Sequence, residues 1–109
     1  MAQPTEILKG TLGLLILRTL ELEPRHGVAI ADRIEQITKG TFTVRAGSLF
    51  PALHRLEQEG FIAGEWSLTG AGRRIRLYRL TPAGRQQLAA EKKQWARIVS
   101  AVGLVLESD

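Results

Sequence analysis

The sequence GSLFPALHRLEQEG, residues 47–60, decides the fold. Its apolar residues recur at helical spacing and predict one buried face, formed by Leu49, Ala52, Leu53 and Leu56. Ser48 is suited to cap the first turn, where Pro51 would cost no intrahelical donor, and Gly60 supplies a left-handed stop. The opposite face is predicted to point outward and carries Phe50, Pro51, His54, Arg55 and Gln58. Taken alone, this pattern is equally typical of an ordinary amphipathic surface helix.

Length and composition restrict the class of protein. A chain of 109 residues is expected to form one domain with a modest core. It has no cysteine, so disulfides and thiolate sites are excluded, and His26 and His54 are its only imidazoles. No signal peptide and no apolar run near twenty residues is present, which predicts a soluble, cytoplasmic protein.

The net charge of +4 is unevenly distributed along the chain. Residues 1–60 contain seven basic and seven acidic residues, whereas residues 61–109 contain eight and four. Four of these bases, Arg73, Arg74, Arg76 and Arg79, lie within seven residues of one another. Such a patch attracts polyanions, although charges on a strand edge can also serve only to prevent aggregation.

Two further helices are predicted before residue 47. The first begins near Pro4 or Thr5, ends near Leu22, and is apolar around most of its circumference. A helix of this kind needs cover on both sides, which indicates a dimer whose interface includes Leu8, Leu12 and Leu15. The second opens at His26-Gly27, and the β-branched segment Thr41–Val44 is predicted to be a single strand beside a later hairpin. The buried stripe of the second helix is predicted to contain Ile30, Ala31, Ile34 and Ile37.

A basic hairpin is predicted after the central helix. Its strands are Phe61–Leu68 and Arg73–Leu80, joined by a turn at residues 69–72. Tyr78 and Leu80 are expected in the core, which leaves Arg74 and Arg76 toward the tip. Three helices followed by a basic two-stranded hairpin are the order of a winged helix-turn-helix, a mainly α fold with a small β-hairpin.

The last helix carries a seam spaced like that of a coiled coil. Thr81 followed by Pro82 is a strong start signal, and the helix is predicted to continue to about Leu106. It is too long to fold back wholly onto so small a domain, so we expect it to pair with helix 1 of a second subunit. Residues 1–81 are thus predicted to be a DNA-binding domain and residues 82–109 a dimerisation helix, in one compact unit. The seam consists of Leu88, Trp95, Val99, Val102 and Leu106.

The sequence contains no recognisable catalytic constellation. Glu57 and Glu59 fall on different helix faces, and the Gly70–Gly72 segment lacks the lysine and the strand-to-helix setting of a nucleotide loop. His26 has no second ligand at metal-binding spacing, so a helix cap or a phosphate contact is the expected role. We therefore predict a protein that is not an enzyme and that has no metal or cofactor.

The same features agree with binding to double-stranded DNA. Phosphate contacts from the hairpin and the helix starts would set the register, while His54, Arg55 and Gln58 would read base edges. A two-fold dimer would place two such helices about 34 Å apart, which predicts a palindromic operator. The alternative is a winged helix used as a protein-interaction or RNA-binding module without operator specificity.

Three segments resemble the signature blocks of PadR-type transcriptional regulators: HGVAIADRIEQ, GSLFPALHRLEQEGFI and GRRIRLYRLTPAGRQQL. The resemblance spans nearly the whole chain and implies a dimeric winged-helix repressor of the short subfamily, which has a single C-terminal helix. This family often has tyrosine where the present chain has Val28, Phe50 and Leu77, so hydroxyl contacts to phosphate are lost there. The DNA-binding residues expected from pattern and resemblance together are His26, Gly27, Ser48, Phe50, Pro51, His54, Arg55, Gln58, Arg73, Arg74 and Arg76.

Trp95 allows two interpretations. It either packs the dimer seam, or, with Val99, it stacks a flat ligand between subunits as a tryptophan does in some relatives of this family. The second interpretation predicts a small hydrophobic or aromatic effector that relieves repression.

Overall fold

The computed structural model describes residues 10–109. Within them, four helices and three strands follow in the order α1 (Thr11–Leu22), β1 (Arg25–His26), α2 (Gly27–Ile37), α3 (Ala46–Gln58), β2 (Ile62–Leu68), β3 (Arg74–Leu80) and α4 (Pro82–Leu106). The strands form one antiparallel sheet in the order β1-β3-β2. The predicted winged helix-turn-helix with a long last helix is confirmed. The predicted start of helix 1 at Pro4 or Thr5, and Leu8, lie outside the described residues.

The core lies between the helices and the base of the hairpin. The predicted inner face of α3 is confirmed, because all four of its residues are buried, and Gly60 takes a left-handed φ of 80° after the helix. Tyr78 and Leu80 are buried as predicted. Ile37 was wrongly predicted to be buried: it is 56% exposed, because it is the last residue of α2 and lies beyond the core. The core consists of Ile16, Leu17, Leu20, Ile30, Ile34, Leu49, Ala52, Leu53, Leu56, Ile62, Tyr78, Leu80 and Leu88.

The start of α3 differs from the prediction. The helix begins at Ala46, and its N-cap is Arg45, which makes no side-chain capping bond. Ser48 is therefore not the cap; its backbone N–H donates to the Arg45 carbonyl at 3.0 Å. Because of this earlier start, Pro51 lies in the second turn and leaves the Gly47 carbonyl without its usual helical donor.

The predicted strand at Thr41–Val44 is wrong. Phe42 makes only an isolated bridge, and the third strand of the sheet is Arg25–His26, which pairs with Tyr78 and Leu77 of β3. The Phe42 N–H donates to the Thr38 hydroxyl at 3.1 Å, so a side chain satisfies this donor. Phe42 and Val44 pack against the core from a loop.

The helix α4 begins as predicted and extends away from the core. The Thr81 hydroxyl accepts a hydrogen bond from the Gly84 N–H at 3.0 Å, and Pro82 occupies the first turn. Leu88 is 1% exposed and belongs to the core of its own chain, whereas the later apolar residues of α4 are exposed. No helix within residues 10–109 is both long enough and apolar enough to cross a membrane.

Candidate nucleic-acid interface

The outward face of α3 is the centre of the candidate interface. Its inner leucines fix the rotation of the helix, and the opposite side chains therefore point to solvent. Phe50 is 47% exposed although it is aromatic, and Arg45, just before the helix, is also exposed. The predicted contact residues of α3 are all exposed: Ser48, Phe50, Pro51, His54, Arg55 and Gln58.

The start of α2 packs beneath this face. Gly27 is buried, and a Cβ atom there would lie 3.1 Å from Phe50 Cε1, so glycine permits the close approach of the two helices. Gly27 can therefore reach a phosphate only through its backbone N–H. His26 Nδ1 lies 3.3 Å from the Arg76 carbonyl oxygen, and because a carbonyl only accepts, Nδ1 is the donor in this bond. His26 thereby links the start of α2 to the hairpin.

The hairpin, or wing (residues 62–80), presents different residues on its two faces. Trp66 pairs with Arg76 and Leu68 pairs with Arg74, so these side chains share one face. Further along this face, toward the core, Tyr78 is buried. The opposite face carries Arg79, whose Nε donates to Glu65 Oε1 at 3.4 Å. The first of these faces adjoins α3, as the Arg76–Glu57 ion pair shows. Arg73, another predicted contact, is exposed beside the turn.

Arg76 connects the wing to α3. Its guanidinium forms an ion pair with Glu57, and the hydrogen bond that it donates to the Glu57 carboxylate is the main reason that the pKa of Arg76 is raised. The absence of a side chain at Gly64 makes room for it, because a Cβ there would lie 2.5 Å from Arg76 Nε. The guanidinium carbon also lies 5.2 Å from the centroid of Trp66. Arg76 is thus held in place by contacts with Glu57 and Trp66.

A groove of about 450 Å³ separates α3 from the wing. Burial raises the pKa of Tyr78, which lies at its base, so the neutral phenol is favoured there. Arg55 is exposed on the same helix but borders a different cavity, near Gly13 and Glu59. The structure therefore brings His54 and Gln58 together with the wing and leaves Arg55 apart. The groove is lined by Phe50, His54, Glu57, Gln58, Arg76 and Tyr78.

Comparison with known proteins decides the family. Residues 16–90 match the model of the transcriptional regulator PadR-like family. The chain belongs to this family. The resemblance of the three sequence blocks is thereby confirmed, and PadR-like proteins are transcriptional regulators, which implies a DNA-binding function.

Relatives of this PadR-like chain include solved structures. A PadR family transcriptional regulator from Eggerthella lenta is 32% identical with a TM-score of 0.81, over 93% of this chain and 86% of that one. A PadR-like regulator from Bacillus cereus is 26% identical with a TM-score of 0.77, over 94% and 97%. A transcriptional regulator of Mycobacterium tuberculosis is 37% identical over 59 residues, or 54% of each chain. The two structural similarities extend along most of the fold described above.

Two residues of the PadR-like interface were missed in the sequence. Glu57 was considered only as a catalytic carboxylate, yet it lines the groove and pairs with Arg76. Trp66 was placed only in a strand, yet it lies 4.4 Å from the guanidinium carbon of Arg74 and is 59% exposed. The clustering of arginines opposite a tryptophan in one hairpin was the available signal, but it identifies the contact only once the strand register is known.

A second exposed surface of the PadR-like chain lies on α4. Trp95 is 41% exposed, and it lines a cleft of about 400 Å³ with Leu14 of α1 and with Glu91 and Ile98 of α4. Val99 is 52% exposed but does not line this cleft. Leu12 and Leu15 are partly buried against the core of their own chain. The exposed apolar stripe of α4 consists of Trp95, Ile98, Val99, Val102, Val105 and Leu106.

No group of three or more histidine, aspartate or glutamate side chains in residues 10–109 is placed to hold a metal ion.

Proposed function

We propose that this chain is a dimeric repressor that binds a palindromic operator in the cytoplasm. One observation carries the proposal: the exposed face of α3 and the Arg74 face of the wing border a single groove. A helix is narrow enough for the major groove of B-DNA, and an adjacent basic hairpin then reaches the neighbouring backbone or minor groove. Residues 1–81 would bind the DNA, and residues 82–109 would pair the two subunits.

The contacts divide into two kinds. His54 and Gln58 carry hydrogen-bonding groups on the exposed face of α3, where base edges would lie. Arg73 and Arg74 are exposed on the wing, and His26 lies at the start of α2, where phosphates would lie. Arg45 adds a further exposed cation immediately before α3. Affinity should fall steeply with added salt because each phosphate contact releases counterions.

The proposed dimer supplies the two-fold symmetry of the operator. The second half of α4 exposes an apolar stripe whose residues include Val102, 50% exposed, and Val105, 72% exposed. An exposed stripe of several neighbouring apolar residues on one helix face is typical of a protein interface. A second copy of α1 and α4 would cover it and set the two α3 helices one turn of DNA apart.

The wing offers a matched pair of arginines for testing DNA binding. Arg74 lies on the face toward α3, whereas Arg79 lies on the same strand and the opposite face, so each Ala substitution removes the same charge. We expect Arg74→Ala to weaken binding about five- to tenfold to a duplex selected by the wild type from a random pool. The slope of log affinity against log salt should also become shallower by about one for each lost phosphate contact.

Arg79→Ala should leave both the affinity for this duplex and its salt dependence nearly unchanged. Equal losses for the two variants would show that only net charge matters, which would contradict the placement of the wing. Failure of the wild-type protein to enrich any duplex, combined with retention of RNA or a protein partner, would favour the alternative of a winged helix without operator specificity.

We also propose that the cleft beside Trp95 binds a flat aromatic effector that relieves repression. Trp95 provides a stacking surface, and Leu14 and Ile98 provide apolar walls. In a Trp66→Phe background and without DNA, titration with the planar dye proflavine should quench the remaining Trp95 fluorescence. An unchanged signal would leave Trp95 with a packing role only.

A further inference from the structure

We propose that Trp66 is a positioning residue for DNA recognition, which holds Arg74 and Arg76 in one fixed stack that reads the width of the minor groove. We call this cluster the wing stack (Arg74, Trp66 and Arg76). The inference rests on the proposed function, because it assigns to the wing a source of specificity in addition to charge. The ligand it would recognise is a narrow, A·T-rich minor groove beside the segment bound by α3.

The geometry of the wing stack is the first observation. The guanidinium carbons of Arg74 and Arg76 lie 4.4 Å and 5.2 Å from the centroid of the Trp66 ring. Trp66 pairs directly with Arg76 across the strands, and Arg74 is its diagonal neighbour on the same face. Both distances fall within the range of a cation–π interaction. One aromatic ring therefore positions two cations.

The exposure of Trp66 is the second observation. The side chain is 59% exposed and does not belong to the buried core. The ring is therefore at the surface, in contact with both arginines, where a bound ligand can reach all three side chains. The same face of the wing borders the groove beside α3, so DNA bound there would meet the wing stack.

The two arginines are not equivalent. Arg76 is neutralised by Glu57, and this ion pair ties the wing stack to α3. Among the ion pairs formed within residues 10–109, none involves Arg74. When a guanidinium stacks on a ring, its N–H groups remain available in its own plane. Arg74 is thus a preoriented cation, with Trp66 and the Arg76–Glu57 pair as its support.

A preoriented arginine suits a narrow minor groove. A·T-rich tracts have a narrow minor groove with an enhanced negative potential, which attracts arginine without reading individual bases. A free arginine would lose conformational entropy when it entered such a groove, whereas a stacked one has already been restricted. The wing stack would therefore increase affinity for A·T-rich flanks and would add specificity outside the bases that α3 contacts.

The test compares duplexes selected from one random pool by the wild type, Trp66→Ala and Trp66→Phe. The wild type should enrich a palindrome with A·T-rich flanks. Trp66→Ala should enrich the same palindrome without the flanks, and its affinity for the A·T-flanked duplex should fall about tenfold, with little change on a G·C-flanked duplex. Trp66→Phe, which keeps a flat ring, should recover most of the flank preference. Leu68→Ala is the control for the loss of an exposed apolar side chain, because Leu68 is also exposed on this face but has no ring. This variant should keep the flank preference.

A double-mutant cycle separates positioning from folding. In an Arg74→Ala background, Trp66→Ala should cause no further loss of flank preference, because Arg74 is already absent and the remaining arginine, Arg76, is neutralised by Glu57. Circular dichroism should show that all variants are folded. The inference would be overturned if Trp66→Ala kept the flank preference or if the two losses were additive. If no variant and no wild-type protein selected a palindrome, the proposed function itself would fail, and this inference with it.

Discussion

Gly84 shows how a single residue fixes the junction between the wing and the last helix. It is buried in the first turn of α4, where its N–H donates to the Thr81 hydroxyl. A Cβ atom at this position would overlap the Phe61 carbonyl oxygen and would lie 2.7 Å from Leu80 Cδ1. Backbone cannot move aside as the end of a flexible side chain can, so only glycine fits here.

Gly84→Ala should therefore destabilise the protein. We expect a loss of about 3 kcal/mol in the free energy of unfolding, at the upper end of the range for overpacked sites, measured by urea denaturation. Gly47→Ala is the matched control. Gly47 also lies in the first turn of a helix, but nothing lies within 4 Å of its added Cβ, so this change should stabilise by up to about 0.5–1 kcal/mol. A neutral Gly84→Ala would contradict the tight junction.

The wing shows which features of a hairpin the sequence predicts and which it leaves open. Its two strands, its turn and its buried end were predicted, but the imperfect alternation of its residues did not show which arginines face outward. The second strand was predicted to begin at Arg73, whereas in the structure it begins at Arg74, which pairs with Leu68. Gly72, with a φ of 81°, donates to the Thr69 carbonyl and adds a bulged residue to the turn. This shift of one residue places Arg76 opposite Trp66.

For the helices too, only some features could be predicted from the sequence. The inner face of α3 and the cap of α4 could be predicted because spacing and capping residues are local properties of the sequence. The start of α3 and the third strand could not, because backbone groups of Arg45 and of Arg25–His26 supply the bonds there, and every residue type has those groups. The candidate interface was accordingly predicted on α3, whereas the pairing of Arg76 with Glu57 was not predicted, because it depends on tertiary contact.

Two basic side chains, Arg18 on the same helix and Lys92 on α4, predict a pH dependence at Glu21. Its pKa is lowered, first by the hydrogen bond from Arg18 and also by Lys92, whose Nζ lies 3.6 Å from Glu21 Oε1. A lowered folded-state pKa gives stability that is present above the unfolded value of about 4.5 and is lost as the pH falls through the folded value. Glu21→Gln should therefore lower the free energy of unfolding at pH 7, and the difference should shrink in acid.

Glu91, on α4, has a raised pKa, so its substitution should change the free energy of unfolding in the opposite direction to that of Glu21. It serves as the comparison. Burial is the main cause that raises its pKa, and Glu59 raises it further. The charged form is thus disfavoured by folding, and the cost disappears as the pH falls through the raised value. Glu91→Gln should increase the free energy of unfolding at pH 7 and should have little effect near pH 4. Denaturant unfolding between pH 4 and pH 7 checks both variants. If both substitutions changed the free energy of unfolding at pH 7 in the same direction, the opposite pKa shifts assigned to Glu21 and Glu91 would be contradicted.

The whole molecule leaves one large apolar surface uncovered within the described residues. The stripe that begins at Trp95 continues to Leu106, which is 79% exposed, while the core of the chain ends along α4 at Leu88. Four arginines lie on the wing, away from this stripe. This separation of an apolar end from a basic face is consistent with one surface for a second copy and another for DNA.

Val102→Glu tests the proposed dimer. An unpaired carboxylate in an apolar interface costs several kcal/mol, so this variant should sediment as a folded monomer where the wild type sediments at twice the chain mass. Binding to a selected palindrome should fall to the level of a single half-site, because one subunit presents one α3 helix. Ser100→Glu adds the same charge to the same helix on the side opposite the stripe and should remain dimeric. If Val102→Glu kept twice the chain mass, the dimer would have to form through another surface, and the spacing expected for the palindrome would no longer follow from α4.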